Sequence, residues 1–243
     1  MSSHDPSPPT AEEYRRLHRR PVLSWVELLQ IRWRLFGPLS DCVEIAQDAR
    51  DPSSISRPFS TTDPIASLPA TEPPVSSVMV KVDDLEEGPG LFLDLHYGHA
   101  DASEEWTRAP LPTDEDIKQA MLRLFKWGDD DRGNVLTRCC GVRRPCDGPK
   151  LTVTATNHPF VTVADYVTTL HPWLQSLKDD ILYSRGILDD QPLSPDLQLY
   201  VRLLRPVNLS LMAEQKGRQR VSELAAKHLR MRDGEKPRLD HLH

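Results

Sequence analysis

Two groups of side chains in this sequence are of the types that ligate metals or react as nucleophiles. Cys139 and Cys140, followed by Cys146 and then His158, lie in a basic stretch that also carries Arg138, Arg143 and Arg144. Three thiolates and an imidazole are the donors of a tetrahedral zinc site, and neighbouring cations that lower thiol pKa values would also favour reversible oxidation. The spacing argues against zinc. Adjacent cysteines lack the geometry of a CxxC knuckle and no second knuckle follows, so ordinary loop thiols come first. The second group is Asp94-x-His96-x-x-His99-x-Asp101. On a strand, Asp94 and His96 share one face and could meet a divalent cation together with His99 of the next turn. The alternation of Leu91, Leu93 and Leu95 explains the same residues as a solvent side, which is the simpler account.

Two basic segments could hold an acidic partner. One is Arg15-Arg16-Leu17-His18-Arg19-Arg20; the other runs from Lys216 to Arg232 with Arg218, Arg220, Lys227, Arg230 and Arg232. Each also reads as a solvated helix face beside an apolar stripe. Aromatic residues are only 6% and do not interleave with these charges, which weighs against single-strand nucleic-acid binding. No GxSxG, GxxxxGK[ST] or GxGxxG is present, and Asp129-Asp130-Asp131-Arg132-Gly133-Asn134 has its glycine misplaced for a calcium loop. No catalytic residue and no cofactor is therefore expected.

The elements that would position these groups are most legible around Leu151–Leu182. Leu151 to Thr156 alternates apolar and hydroxyl side chains as a half-buried strand does. Thr162 stands as an N-cap with Asp165 three residues on, and Val163, Tyr166, Val167, Leu170, Trp173, Leu174, Leu177 and Ile181 make one helix stripe. Pro172 predicts a kink near Leu170 or two helices meeting at His171-Pro172. Ser24-x-x-Glu27 predicts a helix from Ser24 to Gly37. Val78, Val80 and Val82 predict a strand, paired across a loop of residues 83–90 with a second strand from Leu91 to Tyr97. A helix capped by Thr113 would carry Ile117, Ala120, Met121 and Leu124, and Asp129 to Lys150 would be a long loop. Residues 196–212 fit a strand interrupted at Pro206 better than the helix that Ser194-Pro195 could start. Ala213 to Arg232 predicts a basic amphipathic helix.

Two segments resemble a fungal domain family of unknown function. Leu68-Pro69-Ala70-Thr71-Glu72-Pro73-Pro74 is similar to its PAT-x-PP segment, and Val161-Thr162-Val163-Ala164-Asp165-Tyr166-Val167 to its VTV-x-DV helix start. The resemblance implies a small α+β domain and carries over no catalytic residue. The cysteine-bearing stretch before Leu151 and the basic C-terminal stretch depart from it.

Composition bounds the rest. Twenty-two prolines in 243 residues is about 9%, nearly twice the usual ~5%, which implies irregular segments around a smaller folded body. A net charge of -6 gives no global attraction to nucleic acid or anionic lipid. There is no run of about 18 apolar residues to span a bilayer, and the N-terminus lacks a signal-peptide apolar region, which predicts a cytoplasmic or nuclear protein with reduced thiols. The expected organisation is a disordered 1–10, a helical 11–37, a Pro/Ser-rich linker at 48–74, an α+β domain at 75–212 and a basic helix and tail at 213–243. The expected fold is α+β, a mainly antiparallel sheet packed against two or three helices. The expected function is a noncatalytic protein-interaction or scaffold module with an unknown protein partner. The alternatives are a metal-dependent or thiol-based redox enzyme at His96/His99 or Cys139/Cys140/Cys146, and a nucleic-acid-associated protein.

Overall fold

In the computed structural model, which describes residues 7–96, 105–108, 134–189, 193–194, 197–213, 219–220, 222–223, 225–227 and 230, the chain is an α+β protein with mostly antiparallel sheets. It divides into two compact units. The first comprises Met1–Asp83, Pro149–Lys178 and Asp196–His243, the second Asp84–Gly148 and Asp179–Pro195. These units do not follow the divisions that composition suggests, because backbone pairing joins segments far apart in sequence.

The first unit begins with α1 (Ala11–His18), held at its start by a Thr10–Glu13 capping box. Pro9 accepts the Ser76 N–H at 2.9 Å, so the end of the segment expected to be disordered is bound in place. Next come the short strand β1 (Leu23–Ser24), a 3-10 turn at Val26–Gln30, β2 (Ile31–Trp33), α2 (Leu39–Cys42), β3 (Val43–Ala46) and β4 (Ser56–Pro58). After a 3-10 turn at Pro64–Ser67, β5 (Thr71–Glu72) pairs with β1. β6 (Ser77–Val82) is central: Val78, Val80 and Val82 are buried on one face, as the alternation predicts.

α3 (Asp83–His96), β7 (Glu105–Arg108), β8 (Asn134–Cys139) and β9 (Val142–Arg143) follow and belong, beyond Asp83, to the second unit. The chain returns as β10 (Leu151–Thr154) and α4 (Val163–Ser176), passes through α5 (Lys178–Leu188), and closes the sheet with β11 (Leu199–Arg202) and β12 (Asn208–Ala213). β10 is antiparallel and β12 parallel to β6, while β11 and β12 form an antiparallel pair. The Arg34–Tyr200 bridge and the Leu35 N–H to Leu199 C=O bond at 2.7 Å carry the ladder on to β2, β3 and β4. The strand preference at 196–212 holds, with the bend falling at Leu203–Val207.

Strand β10 and the Thr162 cap also hold, and the helix stripe holds from Val163 to Leu174, whereas Ile181 falls in the next helix. Trp173 is half-buried and His171 is buried in its neighbourhood of the stripe. α4 continues through Pro172, and the break comes at Leu177, where two helices meet. The two segments at Leu68–Pro74 and Val161–Val167 touch one another: Ala70 N–H donates to Val161 and Val163 N–H to Leu68, both at 2.9 Å.

Other expectations are corrected. Ser24 caps no helix; it is buried and its hydroxyl donates to the Leu203 carbonyl. Ile31, Arg32 and Trp33 are all buried, so both faces of this segment need cover, which a sheet supplies and a surface helix does not. Residues 83–96 form a helix rather than a loop and strand. Phe92, which a strand would turn outward, is fully buried, whereas Leu95 is 47% exposed; Leu85, Pro89, Phe92 and Leu93 follow the helical repeat. The Pro-rich 48–74 stretch supplies β4 and β5, and the buried Arg32 donates to the Ser54 and Asp51 carbonyls at 2.8 and 2.6 Å, satisfying a loop that has no ladder of its own. Residues 134–143 of the expected loop are a β-hairpin. Among the C-terminal residues described, all are helical, and Ser222 and Ala225 are buried. The expected Thr113 helix and the Asp129–Gly133 run lie outside the described residues.

The second unit has its own small core. Phe92, Leu93, Leu136 and Cys139 pack together with Val142 and Ile187 against them. α3 and α5 approach closely where Gly88 faces Ser184, a site at which an added Cβ would stand 2.7 Å from the Ser184 hydroxyl. Arg185 of α5 reaches Asp84 of α3 at 2.9 Å and also pairs with Asp189, four residues on in its own segment, at 3.0 Å.

Candidate functional site

Cys139 ends β8 and faces Val142 across a two-residue turn made by Cys140 and Gly141. Both turn residues have left-handed backbone, φ 53° and 77°, as a tight hairpin of this twist requires. Glycine is at home at the second position. The first normally carries Asn, Asp or Gly, so a cysteine there holds a conformation that costs a side-chain-bearing residue of order 1 kcal/mol. Along a straight strand consecutive side chains point to opposite faces. The left-handed residue removes that alternation, and the Cys139 and Cys140 sulfurs stand 3.7 Å apart.

His96 is the last residue of α3, its ring tilted against Phe92 at 4.6 Å between centroids. One donor atom each from His96, Cys139 and Cys140 lies within 4.8 Å of the other two. Cys139 is buried, His96 half-buried and Cys140 exposed, so the cluster reaches from the core of the unit to solvent. The structure thus draws one member from one candidate set and two from the other. Cys146 is exposed and is not part of the cluster. His158 belongs to the first unit, stacked on Phe160 at 5.4 Å. His99 lies outside the described residues. The histidine's partnership with these thiols depends on residues 83–96 being helical, and the strand reading concealed it.

A second feature lies wholly in the first unit. Arg15, Arg19 and Arg20 of the N-terminal basic run line an open groove of about 790 Å³ together with Lys81, Lys150 and Arg205, with Glu12 as the one acidic lining residue among those described. Its apolar parts include Val22, Met79 and Val207, with Met79 42% exposed. Parallel pairing of β6 with β12 places Lys81 next to the 205–207 turn, where Lys81 N–H donates to the Val207 carbonyl at 3.1 Å. Among the described residues, the Arg15, Arg19, Arg20, Lys150 and Arg205 side chains make no ion pair. Sequence reading saw the arginine run but had no signal for Lys81, Lys150 or Arg205, which are scattered singly along the chain.

The C-terminal cations are differently placed. Arg220 pairs with Glu223 at 3.1 Å and Arg230 donates to the Ala226 carbonyl at 3.2 Å, so both charges engage their own helix. Lys227 is exposed, and Arg218 and Arg232 lie outside the described residues. Among the described residues, no helix is long and apolar enough to cross a membrane. No family model, no curated protein and no solved structure matches the chain, so these two sites carry the functional argument.

Proposed function

We propose that this protein is a noncatalytic interaction module of the cytoplasm or nucleus whose first unit takes an acidic peptide segment of a partner protein along the α1–β6 groove. The supporting observation is the concentration, among the described residues, of six cationic side chains against one carboxylate in the groove of a chain with net charge -6. Arginine forks bind carboxylates in two-point fashion, and three of the six cations are arginines of one turn-and-a-half of chain. Val22, Met79 and Val207 offer apolar contact between the charges, and a flexible thioether adapts to varied partners. Acidic peptide is favoured over single-stranded nucleic acid because, among the described residues, no aromatic side chain lines the groove to stack on bases.

The test is fluorescence anisotropy of a labelled oligoglutamate peptide with the full chain, alongside an oligouridine of equal charge. The peptide should bind, weaken as salt is raised, and lose about tenfold in affinity in an Arg19→Glu/Arg20→Glu variant, since each exposed ion pair is worth up to about 1 kcal/mol. Equal affinity in that variant refutes the groove. Tighter binding of the oligouridine favours the nucleic-acid reading, and loss of binding only in Arg220→Glu/Lys227→Glu moves the surface to the C-terminal helix.

A further inference from the structure

We infer that His96, Cys139 and Cys140, among the described residues, are the protein ligands of a zinc ion in the second unit, a site independent of the groove. In a tetrahedral zinc site with Zn–S bonds of about 2.3 Å, two ligating sulfurs stand about 3.8 Å apart. Cys139 and Cys140 hold theirs at 3.7 Å. The matching N–S edge is about 3.6 Å, and the histidine nitrogen already lies within 4.8 Å of both sulfurs, within reach of a modest side-chain rotation. Adjacent cysteines on one strand could not meet one ion; the left-handed backbone at Cys140 lets them.

The donor set selects the metal. Two thiolates and an imidazole suit a thiophilic ion, and no carboxylate joins the cluster among the described residues, which disfavours magnesium and calcium. Binding converts two S–H groups into two Zn–S bonds and releases two protons, while His96 donates a neutral nitrogen lone pair. Water completes the fourth position on the exposed Cys140 side. The ion joins the end of α3 to the β8–β9 hairpin beside the buried cluster that Phe92, Leu93, Leu136 and Cys139 form among the described residues.

The test uses full-length reduced protein without an affinity tag, titrated with cobalt(II) as a spectroscopic stand-in and then with zinc. One equivalent of cobalt should give thiolate-to-metal charge transfer and the visible bands of tetrahedral coordination with release of two protons per chain, and zinc should displace it and erase both signals without further proton release. Cys140→Ser and His96→Gln should each weaken zinc binding by roughly 100-fold or more, since losing a ligand costs at least as much as losing its supporting partner. Cys146→Ser and His158→Gln should bind as the parent does. Cys139 is fully buried in the unit's core, so Cys140 and His96 are the positions replaced. Circular dichroism in chelator establishes that the variants are folded, and a zinc-dependent rise in the parent's melting temperature needs no variant at all. No tetrahedral cobalt spectrum at one equivalent, unchanged affinity in Cys140→Ser, or loss of binding in Cys146→Ser overturns the assignment.

Discussion

His171 shows how a single buried group couples this fold to pH. Its ring lies over Trp33 at 6.0 Å, and Nε2 stands 2.9 Å from the Gly37 carbonyl, which can only accept, so Nε2 carries the proton. Burial pushes the imidazole below its ordinary pKa of 6.5, and the hydrogen bond to Gly37 pulls the other way without cancelling it. A depressed folded-state pKa means that the unfolded chain binds more protons below pH 6.5. The stabilisation is complete above that value and is lost as pH falls toward the folded pKa. Urea unfolding between pH 8 and 5 should show the parent losing stability on the acid side more steeply than His171→Gln; equal slopes would mean that another group titrates there. The zinc cluster makes a related point. Cys139 and Cys140 are unpromising in sequence because adjacency normally separates side chains, and a single backbone angle at Cys140 reverses that.

Two capping-box patterns led to opposite outcomes. At α4, Thr162 Oγ1 accepts from the Asp165 N–H at 3.0 Å, and the Thr162 N–H returns to Asp165 Oδ2 at 3.0 Å. Thr156 Oγ1 adds a bond to Asp165 Oδ1 at 2.5 Å, fastening the loop after β10 to the helix start. Burial opposes the charge on Asp165, but these hydrogen bonds outweigh it and hold the carboxyl below its ordinary 3.8. Here too the folded pKa is depressed, so the contribution is present above about pH 3.8 and lost as pH falls through the folded value. Thr162→Ala should cost about 1 kcal/mol in denaturant unfolding at neutral pH, and Asp165→Asn should flatten the stability profile in acid. A Thr162→Ala variant as stable as the parent would show that the cap is dispensable. Ser24-x-x-Glu27 carries the same chemistry and starts no α-helix. The α4 residues put one apolar face toward the core, whereas Trp33, Leu35 and Phe36 are buried beside a buried Arg32, and pairing with β3 and β11 outweighs a local cap.

The division into two units separates the two proposed sites. All three zinc ligands lie in the second unit and every groove residue in the first. Hydrogen exchange can therefore tell them apart. Zinc should slow amide exchange in α3, β8 and β9, and an acidic peptide should slow it in α1 and β6, because a ligand stabilises most where its contacts lie. Protection of α1 by zinc, or of the β8–β9 hairpin by peptide, would place the ligand in the wrong unit. The acidic total charge is no guide to the groove, since -6 is summed over the whole chain while Arg15, Arg19, Arg20, Lys81, Lys150 and Arg205 act together locally.

What could be read from the amino-acid order alone was whatever depends on residues within one or two turns of each other. The alternation in β6 and β10, the Thr162 cap, the α4 stripe and the α+β class are all of this kind, because hydrophobic period and cap chemistry act over short separations. Long-range pairing decided the remainder. It drew Leu23–Ser24 and Ile31–Trp33 into sheets, gave the Pro-rich 56–72 region two strands, and brought Lys81 and Arg205 beside α1. The leucines of 91–95 satisfied a strand period and a helix period equally well, and only the partners that bury Phe92 choose between them. That choice also sets His96 beside two thiols more than forty residues further along the chain, a meeting that no spacing rule contains.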